Sequence, residues 1–362
     1  MSIKDQAIID LIKQFPFLSQ QEMAEKLNMS RPALANAISR LIREGKIIGR
    51  AYILPEENEI ICIGGANVDR KFHLKNVMKQ GTSNPAEVSQ SVGGVARNVA
   101  ENLGRLGHKV RLITAAGQDS EWTFIEQESL PFMNLQSVEF TSVSTGSYTA
   151  VIEPTGEMSV ALAVMDVYEY LTPAVLSKSE SFLRNASMLL TDLNCPKDTI
   201  DYLRKIALES DVELTVVAVS SPKMDRLPDN LLGVNWLICN VDEAEAYLNV
   251  DIQDQKTWEA AAQELCNRGV TNAIVTWGSK GVVACTRDKS TLHFSAEKLN
   301  HMSDATGAGD AFVGGLIHGR ITGWPLEMSI QAGQTNAFQT LQSSHTVRKE
   351  LTANSLRNEM EA

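Results

Sequence analysis

Hydrophobic positions divide the chain into two parts of different character. Over the first fifty residues, apolar side chains recur every three to four positions in three short stretches, which is the spacing of amphipathic helices. Ser19 followed by Glu22 has the sequence of a capping box, and Ser30 stands just before the third stretch. Gly45 ends that stretch, and the residues after it alternate between apolar and polar. The pattern predicts a small domain of three helices and a wing over residues 1–54.

From residue 59 onward, apolar runs of strand length alternate with helical patterns such as those at 95–106 and 258–268. Six runs are predicted to be strands, at 59–63, 110–115, 188–193, 214–219, 236–239 and 273–277. This alternation predicts an α/β fold, in which a mostly parallel sheet is covered by helices on both faces. We assign residues 59–350 to this large domain.

Two segments of the large domain, at about 70–92 and 143–165, break the alternation of strands and helices. Within the second, the runs 148–153 and 158–163 flank the turn sequence Pro-Thr-Gly-Glu, which predicts a hairpin. Extra β structure outside the main sheet could form a lid over a ligand at the strand ends.

The chain has 362 residues and a formal net charge of −11, so we do not expect its whole surface to bind nucleic acid. Residues 1–50 carry eight basic and five acidic residues, which makes the small domain weakly basic and leaves the rest strongly acidic. The five cysteines are scattered and form no CxxC pair, which predicts reduced thiols in a cytoplasmic protein. We find neither a secretory signal nor an apolar run approaching the roughly 20 residues that span a bilayer.

The most informative motif is the run DATGAGD from Asp304 to Asp310, which stands before an apolar stretch. Small residues at a helix start leave its first N–H groups open to a phosphate or a developing negative charge. Asp310 could take a proton from a hydroxyl while the amides of Gly307, Ala308 and Gly309 hold the phosphoryl group. The motif therefore predicts phosphoryl transfer to an alcohol. The alternative is an ordinary turn in which Asp310 only caps a helix.

Two groups of residues near the start of the large domain favour binding of a polar ligand. Gly93 and Gly94 precede a helix that has Asn98 one turn in, so a ligand could approach the backbone and meet an amide. Asn67 and Asp69 follow the first strand, where an acid is suited to hold a sugar diol. The alternative for the glycines is a simple junction between a loop and a helix.

Two later groups could serve a nucleotide. Asn240 and Glu243 follow a predicted strand and could orient water around a magnesium ion, or they could be a helix cap with a solvated acid. Thr276, Gly278 and Gly281 form a strand that runs into a glycine turn. That turn could lie under a nucleotide or be merely a hairpin.

In this order and at these spacings, the motifs resemble those of the ribokinase-like PfkB family of carbohydrate kinases. The resemblance runs over about residues 59–345, and it departs from the family pattern at Ala305, where threonine is usual. It implies a three-layer α/β sandwich with a mostly parallel central sheet, and a small β lid formed by the two irregular segments. It also implies an ATP-dependent phosphotransferase that has an alcohol group as its acceptor.

The resemblance implies a role for each matching residue. The catalytic base would be Asp310, and the groups that stabilise the phosphoryl would be Gly307, Ala308 and Gly309. The acceptor would be held by Asn67, Asp69, Gly93, Gly94 and Asn98. The ATP site would comprise Asn240, Thr276, Gly278, Gly281 and Asn336. Magnesium would be bound, through water, by Asn240 and Glu243, and a monovalent cation such as potassium by Asp304 and Thr306.

Within the family, the stretches 83–85, 93–103 and 155–158 look like those of the pseudouridine kinases. Asn84, Ser147 and Thr149 would be small polar groups able to meet the edge of a pyrimidine, and Ser83 is a further candidate for binding the acceptor. This implies ATP-dependent conversion of pseudouridine to its 5′-phosphate. A kinase for inosine or ribose remains an alternative, as does a ligand-responsive DNA-binding regulator built on a kinase fold.

The predicted helices and wing of the small domain resemble a winged helix-turn-helix DNA-binding domain. By this resemblance the third helix would enter the major groove, with contacts from Arg31, Asn36 and Arg40. The alternative is a module that mediates only protein contacts. Because family members commonly dimerise through their lid strands, the resemblance also implies a homodimer.

Overall fold

The computed structural model describes residues 3–15, 18–48, 59–299 and 306–361. The small domain has three helices, α1 (Ile3–Gln14), α2 (Gln20–Lys26) and α3 (Arg31–Arg43). Their inward faces meet in a core of Ile8, Ile12, Met23, Leu34, Ile38, Leu41 and Ile47. The three predicted helices are confirmed, whereas residues 49–54 of the predicted wing lie outside the described residues.

Side-chain caps fix where α2 and α3 begin. The Ser19 N–H donates to Glu22 Oε2 at 2.8 Å and the Glu22 N–H donates to Ser19 Oγ at 3.3 Å, which completes the predicted capping box. The Ala33 N–H donates to Ser30 Oγ at 3.3 Å. Each cap satisfies backbone donors that have no partner within their own helix.

The end of α3 contacts the large domain. Asn185 Nδ2 donates to the Gly45 carbonyl at 2.9 Å, and Lys46 Nζ donates to Asn185 Oδ1 at 3.0 Å. Gly45 has a φ of 69°, and a Cβ at this position would stand 2.3 Å from Asn185 Nδ2. Glycine is therefore required both by the backbone conformation and by the close approach.

Thirteen strands are present in the described part of the large domain. They are β1 (Ile60–Ile63), β2 (Asn67–Leu74), β3 (Ala86–Gly93), β4 (Val110–Gly117), β5 (Asn134–Phe140), β6 (Ser147–Ile152), β7 (Met158–Val164), β8 (Met188–Asp192), β9 (Glu213–Val217), β10 (Trp236–Asn240), β11 (Asn272–Thr276), β12 (Val282–Cys285) and β13 (Thr291–Phe294).

Nine of these strands form the central sheet, in the order β13-β12-β11-β10-β9-β8-β1-β4-β5. The seven strands from β11 to β5 are parallel, and β12 and β13 are added at one edge by antiparallel pairing. The mostly parallel sheet and its six predicted strands are confirmed. The sequence pattern did not predict β5, β12 or β13, because β5 is a half-buried edge strand with a mixed polar sequence and the other two have only four residues each.

Ten helices complete the described part of the large domain. They are α4 (Val95–Arg105), α5 (Ser120–Ser129), α6 (Pro173–Leu176), α7 (Glu180–Leu183), α8 (Lys197–Ser210), α9 (Val241–Leu248), α10 (Gln255–Asn267), α11 (Ala308–Ile321), α12 (Leu326–Leu341) and α13 (Ala353–Glu361). Among the described helices, none combines the length and the apolar character needed to cross a membrane.

Two hydrophobic cores lie on opposite faces of the central sheet. Ile61 and Leu189 point to the core that contains α8, α9 and α10. Their neighbours Ile60 and Leu190 point to the other core, which contains α4, α11 and α12. Because successive strand residues face opposite sides, the continuous apolar runs bury both faces of the sheet, and the predicted three-layer α/β fold is confirmed.

The remaining four strands form a second sheet in the order β3-β2-β6-β7. Strand β2 pairs with β3 in antiparallel and with β6 in parallel orientation, and β6 pairs with β7 as an antiparallel hairpin. In the connecting turn the Glu153 N–H donates to the Glu157 carbonyl at 2.8 Å, and Gly156 has a φ of 88°. The predicted hairpin is confirmed.

Candidate active site

Most of the predicted site residues gather at the carboxyl ends of the parallel strands. Gly64 follows β1, Asp192 ends β8 and Asn240 ends β10. Two helices start at the same edge, α4 after Gly94 and α11 after Gly307. Ligands of open α/β sheets bind at this edge, because loops and helix N-termini converge there.

Asp192 joins three elements at this edge, and the sequence pattern does not predict its role. Its fully buried carboxylate accepts the N–H groups of Gly65 at 3.0 Å, Ala96 at 2.9 Å and Asn194 at 2.9 Å. These bonds connect the end of β1, the start of α4 and the end of β8. The position of an acid at the end of an apolar strand does indicate that its carboxylate is buried and needs hydrogen-bond donors. The strand pattern does not indicate which residues supply those donors.

Lys223 is a second residue that the sequence pattern does not single out. It lies in the short 3₁₀ turn Ser221–Arg226 after β9, and its Nζ donates to Asn194 Oδ1. The Asn194 Nδ2 in turn donates to Asp192 Oδ2 at 3.0 Å. Burial lowers the pKa of Lys223, while the charge of Asp192 raises it. This chain of contacts brings a cation next to the buried carboxylate.

The two glycines before α4 are required by close contacts. Gly94 has a φ of 99°, and a Cβ there would stand 2.4 Å from the Gly65 carbonyl oxygen. A Cβ on Gly93 would stand 2.3 Å from Asp69 Oδ2. Since glycine has no side chain, the start of α4 can lie directly beside β1 and β2.

Asp69 is held in place by its neighbour on β2. The half-buried Asp69 carboxylate accepts a hydrogen bond at 2.6 Å from Asn67 Nδ2, and Asn67 itself is buried. The negative charge of Asp69 adds to the rise in the pKa of Asp310, and Asp310 also accepts a hydrogen bond from Asn98 in the helix that begins beside Asp69. The structure therefore brings together the early and late motifs of the sequence.

Within the described part of the chain, no side chain caps the start of helix α11. Gly307 has a φ of 83°, and a Cβ there would stand 2.2 Å from the Thr346 carbonyl oxygen, so this turn also requires glycine. Among the described residues, a Cβ on Gly309 would meet no atom within 4 Å, so they leave space open beside the first turn of α11. Uncapped N–H groups that face open space at a helix start can hold an anion.

Asp310 in this first turn meets Asn98 of α4. Asn98 Nδ2 donates to Asp310 Oδ2 at 2.8 Å. Asn98 Oδ1 is buried and, within the described part of the chain, has no hydrogen-bond partner. A buried acceptor without a partner is costly, so this oxygen is suited to take a hydrogen bond from a polar ligand.

Burial raises the pKa of Asp310 to about 7. The hydrogen bond from Asn98 opposes this shift, whereas the nearby charges of Asp192, Asp69 and Glu243 add to it. A carboxyl group with a pKa near neutrality can take and release a proton at physiological pH. The electrostatics of the site therefore suit Asp310 to general base chemistry.

Asn240 and Glu243 cap helix α9. The Asn240 N–H donates to Glu243 Oε2 at 2.8 Å, and the Glu243 N–H donates to Asn240 Oδ1 at 2.9 Å. The acid is buried rather than solvated, and burial raises its pKa. Among the described residues, no group of three or more His, Cys, Asp or Glu could hold a metal ion. A magnesium ion that is bound mainly by phosphates and one carboxylate does not need such a group.

The turn after β11 offers one open glycine. Gly278 has a φ of 47°, and a Cβ there would meet no atom within 4 Å. At Gly281, by contrast, a Cβ would stand 1.9 Å from the Phe294 carbonyl oxygen, so this glycine serves the packing of β13. Thr276 Oγ1 donates to the Cys239 carbonyl at 3.5 Å. Of the three, the structure leaves Gly278 most open to a ligand.

A cleft of about 1090 Å³ lies between the second sheet and α4. Its walls include Asp69 and Ser91 from the sheet, Arg97 from α4, and Thr346 from the loop after α12. This volume lies slightly above the roughly 300–1,000 Å³ that is usual for small-molecule sites. The cleft contains Asp69 and extends away from it along the second sheet.

A model of the pfkB family of carbohydrate kinases matches residues 57–353. The chain belongs to the PfkB family. It is a phosphotransferase with an alcohol as acceptor, and its central domain has the ribokinase-like fold. A winged helix-turn-helix DNA-binding model matches residues 1–48, so the resemblance of the small domain is confirmed as well.

Curated relatives and solved structures cover most of this kinase. An uncharacterised sugar kinase of Escherichia coli strain K12 is 27% identical over 326 residues, or 90% of this chain and 89% of that protein. The pseudouridine kinase of the same strain is 26% identical over 302 residues, or 82% and 94%. A solved carbohydrate kinase from Agrobacterium tumefaciens is 30% identical with a TM-score of 0.74, over 84% of this chain and 97% of that one.

The fold is also that of an Arabidopsis thaliana ribokinase solved with ribose and ATP. The two chains superpose with a TM-score of 0.74 at 17% identity, over 84% of this kinase and 99% of the ribokinase. An identity of 17% shows the fold alone, and the family is shown by the model that matches residues 57–353. Neither finding fixes the acceptor of this kinase.

The structure corrects the prediction that Asn336 lies near the nucleotide base. Asn336 is fully buried, and its Nδ2 donates to Asn102 Oδ1 at 2.9 Å and to the Ala311 carbonyl at 2.8 Å. Its Oδ1 accepts a hydrogen bond from Arg348 Nε at 3.0 Å. Because these bonds use the amide within the protein, Asn336 joins α4, α11 and α12 instead of facing the cleft of the kinase.

The predictions for Asn84 and Thr149 are also corrected. Asn84 closes its own loop, since its Oδ1 accepts the Lys79 N–H at 2.8 Å and its Nδ2 donates to the Lys79 carbonyl at 2.9 Å. Thr149 pairs with Arg70 in the register of β2 and β6, so it lies on the face opposite Asp69. Ser83 is exposed in the loop of Asn84.

Three further predicted positions are Arg40, Asp304 and Thr306. Arg40 forms ion pairs with Asp5 and Glu44 within the small domain, but its side chain is 42% exposed, so its contact with DNA stays a prediction. Asp304 lies outside the described residues, whereas Thr306 is exposed just before α11.

Proposed function

We propose that this kinase transfers the γ-phosphoryl group of ATP to the 5′-hydroxyl of a nucleoside, with pseudouridine as the acceptor. The observation that carries the proposal is the contact between Asn98 and Asp310 at the uncapped start of α11. The 26% identity to a pseudouridine kinase and the cleft of about 1090 Å³, which has room for a base beside a sugar, support the choice of acceptor. Inosine and free ribose are the alternative acceptors.

In the proposed step the acceptor hydroxyl oxygen attacks the γ-phosphorus of ATP. A new oxygen–phosphorus bond forms, the bond from that phosphorus to the bridging oxygen breaks, and ADP leaves. The hydroxyl proton passes to the Asp310 carboxylate, while the N–H groups at the start of α11 face the charge on the phosphoryl oxygens. Asp69 and Asn98 Oδ1 accept hydrogen bonds from the other sugar hydroxyls.

The proposal includes two metal ions. Glu243, whose charge raises the pKa of Asp310, and its capping partner Asn240 would hold a magnesium ion through water, and this ion would neutralise the phosphates of ATP. For potassium, Thr306 adjoins Gly307, whose backbone approaches the Thr346 carbonyl. Thr306, that carbonyl and Asp304 form the candidate set of oxygen ligands.

The Asp310→Asn variant tests the assigned base. We expect kcat to fall by about 100-fold or more, because the amide cannot take the proton, while the affinity for the acceptor changes little. The measurement is ADP formation against pseudouridine, inosine and ribose, with and without potassium. Turnover within a few-fold of the parent would reject Asp310 as the base. Turnover of ribose without any of pseudouridine would reject the proposed acceptor.

The pH dependence of kcat/KM follows from the raised pKa of Asp310. The base must be deprotonated, so kcat/KM should be constant above pH of about 7 and fall about tenfold per pH unit below it. Replacing Asn98 by alanine removes a hydrogen bond that lowers this pKa, so the midpoint should move to higher pH. A profile that stays flat down to pH about 5 would contradict the assignment.

One face of the second sheet supports the proposal that this kinase is a homodimer. Val88, Val160, Leu162 and Val164 share this face, and between 37% and 61% of each side chain is exposed. A contiguous apolar surface on a folded domain marks an interaction site. We propose that a second copy of the chain covers it.

The Leu162→Asp variant tests the homodimer. A charge on this face should give a monomer, because the carboxylate would have to be desolvated in the interface. The control is Ala163→Asp, which places the same charge on the opposite face of the same strand. The measurement is the molar mass by light scattering. A parent protein that is monomeric at micromolar concentration would overturn the proposal.

The exposed part of α3 supports a second proposed activity, DNA binding. Arg31 and Asn36 lie on the solvent side of α3, at the positions from which a recognition helix reaches the major groove. The family match of residues 1–48 supports the same activity. In this proposal the protein is both an enzyme and a DNA-binding protein.

The Arg31→Ala variant tests DNA binding. We expect weaker binding to a random-sequence duplex, with a smaller dependence on salt, because one phosphate contact is lost. Arg357→Ala, which removes a similarly exposed arginine of the kinase domain, is the control and should bind as the parent does. Mobility shifts at low and high salt measure both. A parent protein without a shift at low salt would contradict the proposal.

A further inference from the structure

The pairing of β2 with β6 places an aromatic residue beside Asp69. In the parallel register, Asp69 pairs with Tyr148, and in the antiparallel register it pairs with Ser91. Paired residues of neighbouring strands project from the same face of a sheet. Tyr148 therefore shares the face that carries Asp69 toward the cleft, whereas its neighbour Thr149 projects from the apolar face with Leu162.

Small side chains leave space over the face that carries Tyr148. On β7, Ala163 pairs with Tyr148 and Ala161 pairs with Ala150, so both alanines share this face. The larger side chains Val160, Leu162 and Val164 of β7 project from the other face, whereas Met158, beyond the bulge at Val151 and Ile152, lies on the Tyr148 face. Within the four strands of this sheet, Tyr148 is the only phenylalanine, tyrosine or tryptophan on the Asp69 face. On this face the Tyr148 ring therefore lies beside two alanines, and the larger side chains of Lys71, His73 and Met158 lie further along the strands.

Tyr148 is half-buried, and its hydroxyl donates to the Met158 sulfur at 3.6 Å. A thioether is a weak acceptor, so the phenol can exchange this contact for a hydrogen bond to a carbonyl at little cost. Adjacent strands lie about 4.8 Å apart. A ring on the strand next to Asp69 is thus at the right distance to meet a planar group attached to a sugar that Asp69 holds.

We propose that Tyr148 is the contact for the nucleobase of the acceptor and that it separates nucleosides from free pentoses. The inference rests on the proposed function, and it names the residue of that site that recognises the base. Stacking on the ring would add affinity for a nucleoside, and a free pentose has no group to make this contact.

The experiment compares the Tyr148→Ala and Tyr148→Phe variants with the parent, using pseudouridine, inosine and ribose. Tyr148→Ala should raise KM for the nucleosides about tenfold to a hundredfold, the loss expected for one stacked base. The same variant should leave KM for ATP and the turnover of ribose within about threefold. Tyr148→Phe keeps the ring and should stay within a few-fold of the parent. Thr149→Ala, which alters the opposite face at the next residue, is the matched control and should change none of these values.

The outcomes separate this inference from the proposed function. If the parent phosphorylates nucleosides and Tyr148→Ala does so equally well, the inference is overturned and the proposed function stands. An equal loss for nucleosides, ribose and ATP would show a structural role and would also overturn it. A parent that neither binds nucleosides in calorimetry nor phosphorylates them would overturn the proposed function and this inference together.

Discussion

The buried carboxylate of Asp192 is the constraint on which the site depends. It accepts N–H groups from the end of β1 and the start of α4, and these bonds compensate for the loss of its hydration. They fix the position of α4 relative to the sheet, and α4 carries Asn98 to Asp310. Without this carboxylate, the buried N–H groups of Gly65, Ala96 and Asn194 would lose their partner, and the two helix starts would lose their common support.

The same edge of the sheet concentrates negative charge. Asp69, Asp192 and Glu243 surround Asp310, and together with burial they raise its pKa into the range useful for a base. Such a cluster is unfavourable by itself, so the uncapped start of α11 and the partly buried Lys223 supply positive potential beside it. A bound phosphate group with its cation would complete the balance of charge in the site.

The second sheet has two chemically different faces, and the strand register decides which residue belongs to which. One face carries Asp69 and Tyr148 toward the cleft, and the other exposes Leu162 and its apolar neighbours. In the proposed function the first face binds the acceptor and the second binds another copy of the chain. In this proposal the second sheet therefore links the geometry of the acceptor site to the assembly of the homodimer.

The sequence by itself determined the layers of the fold, because apolar periodicity depends only on which side chains must leave water. It also located the motif from Asp304 to Asp310, because small residues directly before an acid and an apolar stretch form a local pattern. Only the tertiary structure decided which polar residues share a surface: Asn84 closes its own loop and Asn336 is buried between helices. Likewise, Asp192 joins β8 to the end of β1 and the start of α4, which are distant from it in sequence. Hydrogen bonds between such distant residues produce no local sequence pattern.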